Sequence, residues 1–142
     1  MQTMEQDKKS IIFLCSYNSV RSQIAEGFMR HIFGDRYDVY SAGVASGGVS
    51  PYAIAVMKEI GIDISHQRSK SLHGFKDRHF DVVVTLCDRG KEACICCLPG
   101  GDLVLHHNFP APNEVGIPEE KTREEFREVR DQIKTWLMHQ FS

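Results

Sequence analysis

A chain of 142 residues, 42% apolar and 25% charged, is long enough to bury a substantial core without disulfide or metal staples and reads as one domain. Its net charge of −2 at pH 7 offers no basic field for nucleic acid or an anionic membrane, and no apolar run approaches the roughly 20 residues of a membrane span. The polar stretch Met1–Lys9 lacks the apolar core of a signal peptide. Residues 1–9 are therefore expected to be a flexible start, and residues 10–142 one cytoplasmic, monomeric domain without nucleic-acid or membrane partners.

Ser10–Cys15 is a short β-rich apolar run, the right length for a buried strand. After a small polar loop, Arg21 opens a segment in which Ile24, Ala25, Phe28, Met29 and Ile32 recur at helical spacing, predicting a helix to Phe33. Gly34-Asp35 is a turn and Tyr37–Ala42 a second strand; Gly43–Ser50, rich in glycine, is a loop. Ser50-Pro51 starts a helix, serine as cap and proline at the first helical position. It is expected to run through Ala53, Val56, Met57 and Ile60 to a stop at Gly61. A polar segment with Arg68, Lys70 and a turn around Gly74 leads to Phe80–Cys87, the strongest strand, unbroken and β-branched as a central parallel strand should be. Pro99-Gly100-Gly101 reads as a turn and Asp102–His106 as the fourth strand. Asn108–Pro118, with its prolines, is loop, and Thr122–Phe141 carries the stripe Phe126, Val129, Ile133, Trp136, Leu137 and Phe141 of a last helix.

Strands alternating with helices predict a parallel sheet covered on both faces, with ligands bound beyond the carboxyl ends of the strands. Cys15 and Cys87 each end a strand there. The stretch Cys15 to Ser22 has the makings of an oxyanion site. A helix N-terminus presents unpaired N–H groups and partial positive charge, successive loop amides can form a nest, and Arg21 adds a planar fork for phosphate-like oxygens. A cysteine in such a field is favoured as thiolate, hence as nucleophile. The bland alternative is a buried strand cysteine beside an ordinary surface arginine.

Of five cysteines, four fall between Cys87 and Cys97. Zinc would want paired ligands at regular spacing. Cys94, Cys96 and Cys97 are crowded and only His106-His107 stands nearby, so no metal is expected. Cys96 or Cys97 can serve simply as a small apolar residue. A redox reading makes Cys87 and Cys94 partner thiols that carry a disulfide away from Cys15 by thiolate attack.

The run Cys15-Ser16-Tyr17-Asn18-Ser19-Val20-Arg21-Ser22-Gln23-Ile24-Ala25-Glu26-Gly27 resembles the active-site loop of thioredoxin-coupled arsenate reductases, which share the low-molecular-weight protein tyrosine phosphatase fold. The likeness continues through Tyr40–Gly43, Ser50–Ile54, Gly61–Ser65, Asp81–Cys87 and the Arg127–Ile133 part of the last helix. Gln23 after Arg21-Ser22 is reductase-like, since the phosphatases usually carry proline there. The resemblance implies an α/β fold, a single three-layer domain with a four-stranded parallel sheet and helices on both faces, working without a cofactor. It implies that Cys15 attacks arsenate held by the Ser16–Ser22 loop (Ser16, Tyr17, Asn18, Ser19, Val20, Arg21, Ser22), with Ser22 steadying the thiolate and the Asn18 amide holding the loop's shape. Cys87 would then take the disulfide from Cys15, Cys94 from Cys87, and thioredoxin would regenerate the thiols.

Several positions depart from the family pattern. Its general-acid aspartate is expected in Phe109-Pro110-Ala111-Pro112, where Ala111 stands; Glu114, His106 or His107 could substitute. Relatives bind potassium through residues matching Asn18, Glu26, Ser41 and an acidic residue whose place is taken by Lys70, so the Lys70 ammonium is expected to replace the ion. Val20 replaces a cysteine often found inside the loop, and Cys96 and Cys97 are further candidates for the resolving thiol. Three readings stay open: a reductase coupled to thioredoxin, or to glutaredoxin with glutathione; a phosphatase of the same fold; and a non-catalytic thiol redox or metal sensor.

Overall fold

The computed structural model describes residues 8–75, 77–86 and 99–142. Four strands, β1 (Lys9–Cys15), β2 (Tyr37–Gly43), β3 (His79–Thr85) and β4 (Gly100–His106), form one parallel sheet in the order β2-β1-β3-β4. The helices are α1 (Arg21–Phe33), α2 (Pro51–Lys58) and α3 (Glu119–Phe141), with a short 3₁₀ helix at Leu72–Phe75.

β1 lies inside the sheet and reads as a continuous apolar run because both its faces are covered. Ile11, Phe13 and Cys15 point into the larger core, against Ile24 and Phe28 of α1, Val56 and Met57 of α2, and Phe126, Ile133 and Leu137 of α3. Ile12 and Leu14 point the other way, where Phe80 and Val83 meet Tyr40 and the Leu72 and Phe75 side chains of the 3₁₀ helix. The period-2 alternation of a strand thus divides one apolar segment between two cores. The α/β fold with a four-stranded parallel sheet is as expected.

Several boundaries shift. Lys9, expected in the flexible start, already pairs with Tyr37 in β1. β2 takes in Gly43, which pairs with Cys15. α2 ends at Lys58, not at Ile60. The backbone bonds Ile60 N–H to Met57 O, Gly61 N–H to Lys58 O and Ile62 N–H to Met57 O close the terminal turn, leaving Ile60 exposed. Gly61 is the stop, at φ 83°. β3 stops at Thr85, where its partner runs out: Leu14 pairs with Thr85, and the Cys15 carbonyl is engaged by Val44 N–H. Cys87, expected to finish that strand, lies outside the described residues.

Gly100-Gly101 is strand, not turn. A Cβ on Gly101 would come within 2.6 Å of Val83 Cγ2, and one on Gly100 within 2.9 Å of His79 Nδ1. The glycines mark close packing on β3. α3 begins at Glu119, with Pro118 extended at its cap and Glu119 and Glu120 in the first turn, where acidic side chains complement the helix dipole. No described helix is long and apolar enough to cross a membrane.

Candidate active site

β1 ends at Cys15, and residues 16–20 turn back over the start of α1. Cys15 is only 2% exposed, and its Sγ lies 2.8 Å from Ser22 Oγ. Asn18 is the fixed point of the turn, buried and at φ 53°, a left-handed conformation that asparagine tolerates better than most residues.

Its hydrogen bonds orient the hydroxyls beside it. Asn18 Oδ1 accepts from the Lys70 backbone N–H at 2.7 Å and from Gln23 Nε2 at 2.9 Å, which determines which end of the carboxamide is oxygen. Asn18 Nδ2 then donates to Ser22 Oγ at 2.7 Å and to Ser41 Oγ at 2.9 Å. With a donor already received, each hydroxyl has its own proton to give. Ser41 gives it to Glu26 Oε1 at 2.5 Å. Ser22 has its proton available for Cys15 Sγ when the cysteine is a thiolate.

An outer segment ties the loop carbonyls. Val44, Ala45, Gly47 and Ser50 N–H groups donate to the carbonyls of Cys15, Ser16, Tyr17 and Ser19. Ser69 Oγ donates to Tyr17 O at 3.0 Å. Gly43 makes the crossing possible, because a Cβ there would sit 2.6 Å from the Asn18 backbone nitrogen. Val20, at the cap of α1, supplies no side-chain hydrogen bond to the helix's first amides. Arg21 is 5% exposed, and its Nη1 donates to the Phe109 carbonyl at 3.1 Å.

Behind the loop, buried Glu26 meets Arg30 at 2.9 Å and Lys70 Nζ at 3.7 Å. Burial pulls the Lys70 ammonium below its ordinary pKa, with Arg30 acting in the same direction and Glu26 opposing. Lys70 Nζ also donates to the Arg68 carbonyl at 2.5 Å.

The sequence model for the family described as low molecular weight phosphotyrosine protein phosphatase matches residues 10–141. The chain belongs to that family. It is 43% identical over 127 residues to an arsenate reductase of Halalkalibacterium halodurans, spanning 89% of this chain and 91% of that protein. Arsenate reductase 1 of Staphylococcus epidermidis is 45% identical over 127 residues, spanning the same shares, 89% and 91%. Among solved structures, an arsenate reductase in a phosphate-binding state superposes with a TM-score of 0.72 at 35% identity, over 92% of this chain and 95% of that one. A low-molecular-weight protein tyrosine phosphatase from T. tengcongensis superposes with a TM-score of 0.67 at 26% identity, over 93% and 99% of the two chains.

Of the site residues expected from sequence, the structure brings together Cys15, Asn18, Arg21 and Ser22 around one turn. Ser16 and Ser19 flank it, and Tyr17 stands 62% exposed at its rim. Cys87, Cys94, Cys96 and Cys97 lie outside the described residues. Among the described residues no three His, Cys, Asp or Glu side chains are grouped as a metal site would need.

Ala111 sits exposed in the loop after β4, beside Glu125, Glu128 and Val129 of α3. Of the acids named as its substitutes, His106 is held between Thr85 Oγ1 and Asn108 Oδ1, each at 2.6 Å. His107 stacks on Phe109 with ring centroids 4.4 Å apart, at the edge of a cavity of about 510 Å³ shared with Trp136 and His139. Glu114 lies nearer the turn: Ser50 Oγ donates to Glu114 Oε1 at 3.4 Å, and Ser50 N–H donates to Ser19 O.

Sequence reasoning missed Gln67, Ser69 and the Phe109 carbonyl. Each reaches the loop from more than 40 positions away, with no local pattern to announce it.

Proposed function

We propose that this chain reduces arsenate to arsenite, with Cys15 as nucleophile and Arg21 and the Ser16–Ser22 amides as the oxyanion cradle. The observation that carries this reading is the Ser22 Oγ contact with Cys15 Sγ at 2.8 Å, with Asn18 Nδ2 occupying a Ser22 lone pair and leaving the hydroxyl proton available to sulfur. A hydroxyl donor there suits a sulfur that reacts as an anion. Carbonyls drawn to the 44–50 segment, together with the uncapped first turn of α1, support assigning the amide edge of the loop to the anion. The relatives named arsenate reductase support the choice of oxyanion.

In the proposed cycle the Cys15 thiolate displaces a hydroxyl of arsenate, forming an As(V)–S bond with loss of water. The Cys87 thiolate attacks Cys15 sulfur, the As–S electron pair passes to arsenic, and arsenite leaves with arsenic as As(III). Cys94 then attacks Cys87, freeing Cys15, and the Cys87–Cys94 disulfide is reduced by the dithiol of thioredoxin. Cys96 and Cys97 are the alternative resolving thiols, and glutaredoxin with glutathione the alternative reductant. The unit is residues 10–142, acting as a cytoplasmic monomer.

The phosphatase reading shares Cys15 and Arg21 but lacks an acid at Ala111 to protonate an ester leaving group. The test is arsenite formation with the thioredoxin system and with glutaredoxin and glutathione in parallel. Cys15→Ser and Cys87→Ser should abolish it, and aryl phosphate hydrolysis should stay feeble. Unchanged arsenate turnover in Cys87→Ala, or no arsenite with either reductant, would refute the proposal.

A further inference from the structure

Gln67 is buried behind the site, in the irregular segment after α2, at only 9% exposure. Its Nε2 donates to Gln23 Oε1 at 2.7 Å and to the Gln23 carbonyl at 3.1 Å. Gln23 is completely buried. With its Oε1 held by Gln67, its Nε2 faces Asn18 Oδ1 at 2.9 Å, Asn18 O at 3.0 Å and Arg68 O at 2.8 Å. A carboxamide has one accepting and one donating end, so a donor at one end dictates what the other end offers. Two backbone carbonyls fix the donating end of Gln23 and Gln67 holds its accepting end, so Gln67 completes the seat from which Gln23 fastens Asn18.

We propose that Gln67 is a positioning residue of the oxyanion loop, holding Gln23 in the orientation that fastens Asn18. This rests on the reading of that loop as the oxyanion site. No atom of Gln67 needs to touch the oxyanion.

The near-isosteric change Gln67→Glu tests it. Ionised, the introduced carboxylate would set lone pairs against Gln23 Oε1 and the Gln23 carbonyl, pushing the Gln23 carboxamide out of its seat and weakening its hold on Asn18. Protonated, the carboxyl can again donate. Burial raises the pKa of the introduced carboxyl, so the kcat/KM for arsenate, taken as a ratio to wild type, should fall about tenfold at alkaline pH and recover towards wild type as pH falls. Arg30 and His31 of α1, and Asp63 and His66 of the following segment, line the same cavity. Gln67→Met keeps all four without a titrating group at 67, and its lower ratio should be flat with pH. Thermal unfolding of both variants at each pH separates lost loop polarity from lost fold.

Equal, flat ratios for the two variants, or a Gln67→Glu ratio of one throughout, would overturn the proposal. Protection of Cys15 from iodoacetamide by inorganic phosphate, read on the Cys15 peptide by mass spectrometry, gives the same comparison without turnover. An inactive wild type that still shows the pH pattern in protection defeats the arsenate reading and keeps the positioning role.

Discussion

Asn18 allows the loop's structural and chemical demands to be separated. In Asn18→Ala the left-handed backbone at φ 53° loses its tolerant residue, at a cost of about 1 kcal/mol. The Lys70 N–H, which donated to Asn18 Oδ1 at 2.7 Å, is left beside a methyl group, costing about 2 kcal/mol more. Gln23 Nε2 keeps acceptors at Asn18 O and Arg68 O, so it adds little. The expected loss is about 3 kcal/mol, read as a shift in the urea midpoint. Asn18→Gly should recover about 1 kcal/mol of it by relieving the backbone.

Asn18→Asp does the opposite. It keeps the acceptor for Lys70 and the tolerance of a left-handed backbone, so stability changes less than in the alanine variant. Its new oxygen, however, faces Ser22 Oγ and Ser41 Oγ, which now donate to it. Ser22 then turns its proton away from Cys15 Sγ. Arsenate kcat/KM should fall tenfold or more, on the order of one charge-assisted hydrogen bond, while the urea midpoint moves less than in Asn18→Ala. An alanine variant within about 1 kcal/mol of wild type, or an aspartate variant with full turnover, would refute the assignment of proton directions.

Other expectations are simpler. Ala111→Asp returns a carboxyl to the family's acid position and should raise p-nitrophenyl phosphate hydrolysis about a hundredfold, with little change in arsenate turnover; no gain would mean that this loop does not deliver residue 111 to the site. Lys70 Nζ already stands 3.7 Å from Glu26, so wild-type turnover should be equal in sodium and potassium, whereas Lys70→Met should come to depend on potassium. A potassium requirement in the wild type would contradict this. Glu59, paired with Arg127 at 2.7 Å and Arg130 at 3.0 Å, has its carboxyl pKa held down chiefly by the Arg127 hydrogen bond. A lowered folded-state pKa contributes stability above the ordinary glutamate range, and that stability is lost as pH falls through the folded value. The gap in Tm between wild type and Glu59→Gln should therefore be full at neutral pH and close in acid; a gap that persists there would assign the effect to packing.

Much of the frame was legible because single segments carried their own signals. β1 and β3 are buried on both faces over residues 11–15 and 82–85, and those stretches read as near-continuous apolar runs. Ser50-Pro51 announced α2 through its cap, whose Ser50 hydroxyl donates to Glu114 and accepts from Tyr52 N–H at 3.2 Å. The start of β4 was not legible, because Gly100-Gly101 has the composition of a turn and only the side chains of His79 and Val83 reveal why glycine is needed. The first turn of α3 was missed for a related reason: Glu119 and Glu120 answer the helix dipole, and the apolar stripe begins only at Phe126.

The site divides along the same line. Cys15, Arg21 and Ser22 are legible because nucleophile, guanidinium and hydroxyl follow one another over eight residues. What holds them came from elsewhere: Ser41 from β2, Gln67, Ser69 and Lys70 from the segment after α2, and the Phe109 carbonyl from beyond β4. The distribution has a physical reason. A loop that must keep its amides for an anion cannot satisfy itself through those amides, so its shape has to be imposed through its carbonyls and side chains by other parts of the chain. Polar side chains buried in that role, such as Gln23 and Gln67, carry no periodicity and no charge. Their chemistry becomes visible only when the partner that fixes their polarity is in place.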